Sequence, residues 1–302
     1  QMQVQTVRGL MRGRWLVGCD GARSTVRKQS GFVFAGTTPE FTGYTLQVEL
    51  ADPSVLTPGR QFTEYGMCNF NPPGVLALAD FDGGAGHRGP LDLHAAQALL
   101  RRVSGRQATI AALHLATTWT DAGRQATAYR SGRVLLADDA AHMHSPLGGQ
   151  GLNLGIGDAM NLGWKLAAVA RGDAAETLLD SYQAERHPIG ARVLDWSRAQ
   201  VALMRPGPGQ RALAAVFADL AATRDGATYL AERLWGVAQP AVFNGEHPWV
   251  GQSVPDVQLA NGDRMGELLR AGKGVLLGLD TGVSLGPVFA RWQRSEIGRA
   301  SC

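Results

Sequence analysis

The stretch GRVLLADDAAHMHSPLGGQGLNLGIGDAMNLGWKLAAVARG, Gly132 to Gly172, decides how the chain is read. Val134, Leu135, Leu136 and Ala137 form a short apolar run between turn signals. That pattern suits a strand buried on both faces, as in a parallel sheet. The run ends at Asp138 and Asp139. Open α/β sheets bind ligands at the carboxyl ends of such strands, where carboxylates accept hydrogen bonds from sugar or ribityl hydroxyls. Taken alone, two aspartates are also an ordinary turn or helix cap.

The next residues add weight to the ligand reading. Pro146, Gly148, Gly149 and Gly151 let the backbone approach a flat ligand, because glycine has no Cβ to clash. A helix is predicted from about Gly151 or Leu152. Its first amides lack internal partners, and its dipole places about +0.5 charge there, which suits an anion. The segment carries Leu154, Ile156, Ala159, Met160, Leu162, Trp164, Leu166 and Val169, with only Asp158 and Lys165 charged before Arg171. It therefore reads as a largely buried helix. Gly155, Gly157 and Gly163 each cost about 1 kcal/mol against alanine, so close backbone packing is expected at all three.

This segment resembles the second flavin-binding motif of class A FAD-dependent aromatic monooxygenases, G-R-V-x-L-x-G-D-A-A-H followed by P-x-G-G-Q-G-x-N. The resemblance implies that Asp139 hydrogen-bonds the FAD ribityl chain and that Pro146 lies beside the ring at the reaction site. It places the Gly148, Gly149 and Gln150 loop against the cofactor. The amides around Gly151, Leu152 and Asn153 then face the pyrimidine edge. The usual glycine before the second aspartate is Asp138 here. Its carboxylate would either repel the FAD pyrophosphate or point to solvent.

A second stretch, WLVGCDGARSTVRK from Trp15 to Lys28, resembles the family's D-G-x-x-S-x-x-R motif. That motif is associated with the flavin pyrophosphate and the nicotinamide cofactor, which implies cofactor contacts for Asp20, Gly21 and Arg27. An apolar strand runs into the glycines, and Ser24 and Arg27 lie three apart on one helix face.

The composition is that of a globular chain: 302 residues, 45% hydrophobic and 18% charged, with a net charge of +3. The basic residues are scattered, which argues against nucleic acid as a partner. Cys19, Cys68 and Cys302 form no metal or disulfide pattern and suit a reducing cytoplasm. No apolar run reaches the roughly 18 residues of a membrane span. His142 and His144 lack a third ligand at sensible spacing, so no metal is expected.

The expected fold is α/β (α+β): part of a Rossmann-like FAD-binding domain, an inserted β-sheet substrate domain, a helical segment and a truncated thioredoxin-like domain. The resemblance assigns 1–30 to the FAD-binding domain and 31–128 to the β-rich substrate domain. Residues 129–200 return to the FAD-binding domain, 201–245 form a helical connection, and 246–295 resemble an incomplete thioredoxin-like domain. LDLHAAQALLRRV reads as an amphipathic helix started by Pro90. Phe62, Tyr65, Met67, Asn69 and Phe70 are candidates for the substrate pocket. Glu185-Arg186-His187-Pro188 resembles a feature of relatives acting on aromatic polyketides and rifamycin-like antibiotics. The chain opens inside a β-hairpin, and the βαβ unit expected before it is absent. The match at Gly84 to Gly89 is a poor substitute, because Pro90 follows at once. EIGRASC reads as translated adapter sequence, so 296–302 is expected to be foreign.

The implied activity is hydroxylation of an aromatic polyketide or phenol by FAD, NAD(P)H and O2 through a flavin hydroperoxide. The cofactor does the chemistry, so no side-chain nucleophile is assigned. Two alternatives stand: a fragment with an incomplete FAD site, and a flavin oxidoreductase of the same fold with another reaction.

Overall fold

A computed structural model describes residues 2–81, 90–236, 250–270, 275–277 and 286. The chain divides into two units, 1–242 and 243–302. The first opens with the expected hairpin, β1 (Met2–Thr6) against β2 (Gly9–Gly13). It continues through β3 (Leu16–Gly18), the short helix α1 (Thr25–Gln29) and β4 (Phe34–Gly36). Then come β5 (Thr42–Leu50), β6 (Gly59–Phe62), β7 (Gly66–Asn71), β8 (Val75–Asp80), α2 (Leu93–Ser104) and β9 (Ile110–Thr120). The chain returns through β10 (Arg124–Ala126), β11 (Arg130–Ser131), β12 (Val134–Leu136) and β13 (His142–Met143). Four helices follow: α3 (Gly151–Arg171), α4 (Asp180–Met204), α5 (Pro208–Ala222) and α6 (Arg224–Trp235).

The largest sheet has five antiparallel strands in the order β6-β7-β8-β5-β9. Strand alternation sends Tyr44, Leu46, Val48, Cys68, Phe70, Leu76 and Leu78 to one face, where Leu99, Leu100 and Val103 of α2 close a core. Each such side chain, fully buried, stabilises the fold by about 1.5–3 kcal/mol. The cap of α2 is Asp92, whose side chain accepts from the Ala95 amide at 2.7 Å. Pro90 lies two residues before the cap, so a carboxylate and not the proline ring starts this helix.

The pairing that matters for the site is smaller. β12 runs parallel to β3, with Val134 opposite Leu16 and Leu136 opposite Gly18. Leu135 and Leu136 are fully buried. Tyr182 of α4, also fully buried, donates its hydroxyl to the Leu136 carbonyl at 2.8 Å and ties that helix to the strand. In a third sheet β10 lies between β4 and β13 and pairs antiparallel with both.

Helix α3 departs from expectation. Leu154, Asp158, Leu162, Lys165 and Val169 face inward. Leu152, Ile156, Met160 and Trp164 recur every fourth residue on the opposite side and are 75, 51, 72 and 48% exposed. The helix carries an apolar stripe on each side, and this part of the chain covers only one.

The second unit, among its described residues, contains α7 (Met265–Leu269) and a bridge between Gln258 and Arg264. Asp256 accepts from Arg264 and from the Gly266 amide. The Gly84–Gly89 match, the 296–302 tail and half of 246–295 lie outside the described residues. No helix among the described residues is long and apolar enough to cross a membrane.

Candidate functional site: a glycine loop between a sheet face and a helix start

Both motif loops leave the same end of the parallel pair. The Ala137 amide donates to the Gly18 carbonyl at 2.9 Å, where β3 and β12 finish side by side. After β3, Asp20 accepts from the Ser24 hydroxyl and from the Thr25 and Val26 amides at 2.7 and 3.1 Å. Ser24 caps α1 by accepting from the Arg27 amide. Burial alone would raise the Asp20 carboxyl, but these donors outweigh it and hold the group below the usual carboxylate range. Gly21 sits at φ +81°, a turn that glycine adopts without strain. Arg27 is buried, with its guanidinium stacked 3.7 Å over Phe34. It donates to the carbonyls of Ala22 and Ala140 at 2.8 and 3.0 Å. Asp20 and Arg27 thus build the first loop and fasten it to the second.

In the second loop Asp138 takes φ +58°, the only positive value at a non-glycine position among the described residues. This left-handed turn explains why glycine suits the position. The half-buried Asp138 side chain lies against the backbone of Gly155 in α3. Its amide donates to Asp158 Oδ2 at 3.1 Å. Asp139 follows and is exposed. Partial burial, and then the neighbouring Asp138 charge, push its carboxyl above the usual range. His144 lies close enough to Asp139 to affect its charge, and its Nε2 is 3.5 Å from where a Gly151 β-carbon would be. Burial holds the His144 ring below the usual histidine range, partly offset by its bond to the Ser145 carbonyl.

The turn between them is glycine-dependent in part. Gly148 and Gly149 have φ of +92° and +65°, whereas Gly151 is not left-handed. A β-carbon on Gly148 would also stand 2.8 Å from Gln200 of α4. Gln150 is buried, and its side chain donates to the Arg233 carbonyl at 2.9 Å instead of capping α3. Among the described residues no side chain caps the first turn, which leaves the amides of Gly151, Leu152 and Asn153 available at the positive end of a 21-residue helix. On the α4 side a cavity of about 270 Å³ is lined by Gln150, Asn153, Arg186, Ile189 and Leu234, among others.

Leu147 joins this loop to the large sheet. It is buried in one cluster with Phe41, Met67, Ala79, Val201 and Met204, on the face opposite α2. Met67 and, two residues on, Asn69 share that face. Phe70 does not: strand alternation turns it into the α2 core. Phe62 and Tyr65 are 47 and 38% exposed. Phe62 stands directly opposite Met67 in the β6–β7 pair and so lies on the Met67 face, Tyr65 sits in the turn between those strands, and only Phe70 of the five is turned away. On the same face as Met67, Trp119 lies across Gly43 and donates to Thr45 Oγ1 at 3.2 Å. No sequence signal marked Trp119, Gln200 or Leu147.

Residues 4–197 match the family model described as FAD binding domain. The chain belongs to that family. Rifampicin monooxygenase from Streptomyces venezuelae is 38% identical over 88% of this chain and 57% of its own length. Dialkyldecalin synthase from Streptomyces rugosporus is also 38% identical, over 93% of this chain and 60% of its own. Among solved structures, OxyS anhydrotetracycline hydroxylase from Streptomyces rimosus superposes with a TM-score of 0.83 at 35% identity. That match covers 99% of this chain and 62% of OxyS. The chain therefore spans about three fifths of the length of each of these three proteins. An α/β chain of the flavin-hydroxylase fold, as the motifs implied, is what the fold and these relatives show.

Proposed function

We propose that this chain is the flavin-holding part of an FAD-dependent monooxygenase that uses NAD(P)H and O2 to hydroxylate a polycyclic or phenolic aromatic substrate. One observation carries the reading. Leu147 seats the glycine loop on the face of the large sheet opposite α2, immediately before a helix start that no side chain among the described residues caps. A flat group placed there meets open amides on one edge and an apolar sheet face above.

The residues present fit FAD. Asp139 is exposed and its side chain has no hydrogen-bond partner among the described residues, which suits an acceptor for ribityl hydroxyls. Gly148 and Gly149 allow close approach, and Pro146 stands at the mouth. The amides of Gly151, Leu152 and Asn153 favour negative charge on the pyrimidine edge by about 0.3–1 kcal/mol, and by up to about 2 in a partly buried geometry. FAD, when bound, supplies hydride acceptance and oxygen activation. The protein's share is to orient the ring and keep water out, through the cluster around Leu147 and Met67. In this reading Met67, Asn69, Thr45 and Trp119 face the substrate. Asp20, Gly21 and Arg27 support the cofactor by shaping the first loop, 31–128 is the substrate side, and 246–295 is an appended thioredoxin-like segment.

A second reading comes from the dialkyldecalin synthase relative: ring formation on the same scaffold without net oxidation. Fluorescence titration of the chain with FAD tests the common part. NADPH and O2 consumption with a panel of polycyclic phenols then separates the two. Product heavier by one oxygen atom, with NADPH consumed, supports hydroxylation; product without NADPH consumption supports the second reading. A chain that does not quench FAD fluorescence overturns both.

A further inference from the structure

Asp158 is completely buried in the middle of α3, yet three separate elements converge on it. Its Oδ2 accepts from the Asp138 amide at 3.1 Å and from His142 Nε2 at 2.6 Å. Its Oδ1 accepts from Arg186 Nε of α4 at 2.7 Å, and Arg186 also donates to the Leu154 carbonyl at 3.0 Å. His142 is itself 1% exposed. With a carboxylate as acceptor, its Nε2 carries the proton.

We propose that Asp158 is a positioning residue that sets where Asp139 stands relative to the first turn of α3. The role rests on the flavin reading above. One carboxylate oxygen ties both ends of the Asp138–His142 turn: the amide that opens it and the imidazole that closes it. Asp139 lies inside that span. Asp158 also belongs to the helix whose amides begin seven residues earlier, at Gly151. The acceptor for the ribityl chain and the donors for the ring edge are therefore gauged from one side chain. The left-handed backbone at Asp138 makes this tie necessary, because an L-residue leaves that conformation readily unless its neighbours hold it. Arg186 sets an opposite charge 2.7 Å from the other carboxylate oxygen. Gly155 and Gly157 leave room for the Asp138 carboxylate and the Arg186 guanidinium that surround it.

The test uses the 302-residue chain and three variants: Asp158→Asn, Asp158→Glu and His142→Gln. Hydrogen exchange by mass spectrometry reads 138–143, with the β5–β9 sheet as internal control, and fluorescence quenching reads FAD affinity. Asp158→Asn is expected to speed exchange in the turn and weaken FAD by about tenfold or more, with the sheet unchanged. Asp158→Glu keeps the charge beside Arg186 but moves the oxygens by one methylene, and it is expected to restore neither. Unchanged exchange in a folded Asp158→Asn chain overturns the proposal, as does Asp158→Glu matching the unaltered chain in both readouts. If Asp158→Asn fails to fold, His142→Gln cuts one tie and reads the same turn: local loosening supports the role, and none overturns it. A loosened turn with undiminished FAD affinity overturns the positioning role while the flavin reading survives. FAD that fails to bind the unaltered chain overturns the flavin reading itself, and this role with it, before any variant is compared.

Discussion

The Asp138 carboxylate fills the space that a β-carbon on Gly155 would need. The two residues are 17 apart in sequence, one on the strand-end turn and one inside α3, and they fit only because one of them has no side chain.

Gly155→Ala sets two effects against each other. Alanine favours the helix by about 1 kcal/mol. Overpacking against Asp138 costs about 1–3 kcal/mol. The net is destabilisation of up to about 2 kcal/mol. In an Asp138→Gly background the obstacle is gone, and alanine at 155 becomes stabilising. Urea unfolding of the four chains of this double-mutant cycle measures the coupling. Additive changes would remove the contact from the account.

Gly163→Ala is expected to stabilise the chain by about 0.5–1 kcal/mol, because a β-carbon there meets nothing within 4 Å. Gly157→Ala is expected to destabilise it, because the new carbon stands 2.6 Å from Arg186 Nη2. Denaturant midpoints for the pair, measured side by side, distinguish packing from helix propensity.

Lys165 is 1% exposed and bonds Glu185 Oε2 at 2.8 Å, where Asn161 also donates at 2.6 Å. Lys165→Met leaves Glu185 without its charge partner. The expected loss is about 3 kcal/mol, the low end for breaking a buried pair, since Glu185 keeps some solvent contact. Burial alone would raise the Glu185 carboxyl, but Lys165 and Asn161 together hold it below the usual range. The folded state thus binds this proton less readily than the unfolded state. Its contribution is complete above about pH 4 to 5 and is lost as pH falls through the folded value. Glu185→Gln should flatten that acid limb in thermal melts at stepped pH, and an unchanged limb would assign it to other groups.

Asp139→Asn has the opposite sign. The Asp139 carboxyl is held above the usual range, so the folded chain binds that proton more readily than the unfolded one, and stability falls as pH rises through this window. The asparagine variant should melt higher than the unaltered chain at neutral pH. It should also bind FAD more weakly, by roughly 1.5–3 kcal/mol for a lost charge-assisted bond. A variant that gains stability and keeps its flavin affinity would take the ribityl chain away from Asp139.

What the sequence shows, and what it hides, follows from how local each signal is. The strand at Val134–Leu136 and the helix start at Gly151 are written in consecutive residues, and both are where the pattern puts them; Ser24, read onto the helix face with Arg27, instead caps the helix. The fate of Asp138 was not legible, because its carboxylate is accommodated by Gly155 and its amide by Asp158, both on a later helix. Phe70 and Met67 are three apart and equally apolar; only the strand register shows that one enters the α2 core and the other meets Leu147. Gln200 reaches Gly148 from another helix across 52 positions of chain, and no local pattern announces it. The uncovered stripe of α3 was misread for a related reason: composition reports how oily a helix is, not how many neighbours this chain gives it.

That stripe has consequences at the bench. Leu152, Ile156, Met160 and Trp164 make a greasy ridge about 18 Å long at 1.5 Å per residue. Water wets such a ridge poorly. The purified chain should light up the dye ANS while fully native by circular dichroism. It should also cling to a phenyl resin and cloud as ammonium sulfate is added. Met160→Lys with Trp164→Glu gives the ridge a charged i,i+4 pair, and the altered chain should run clear through the same steps without a change in its melting curve.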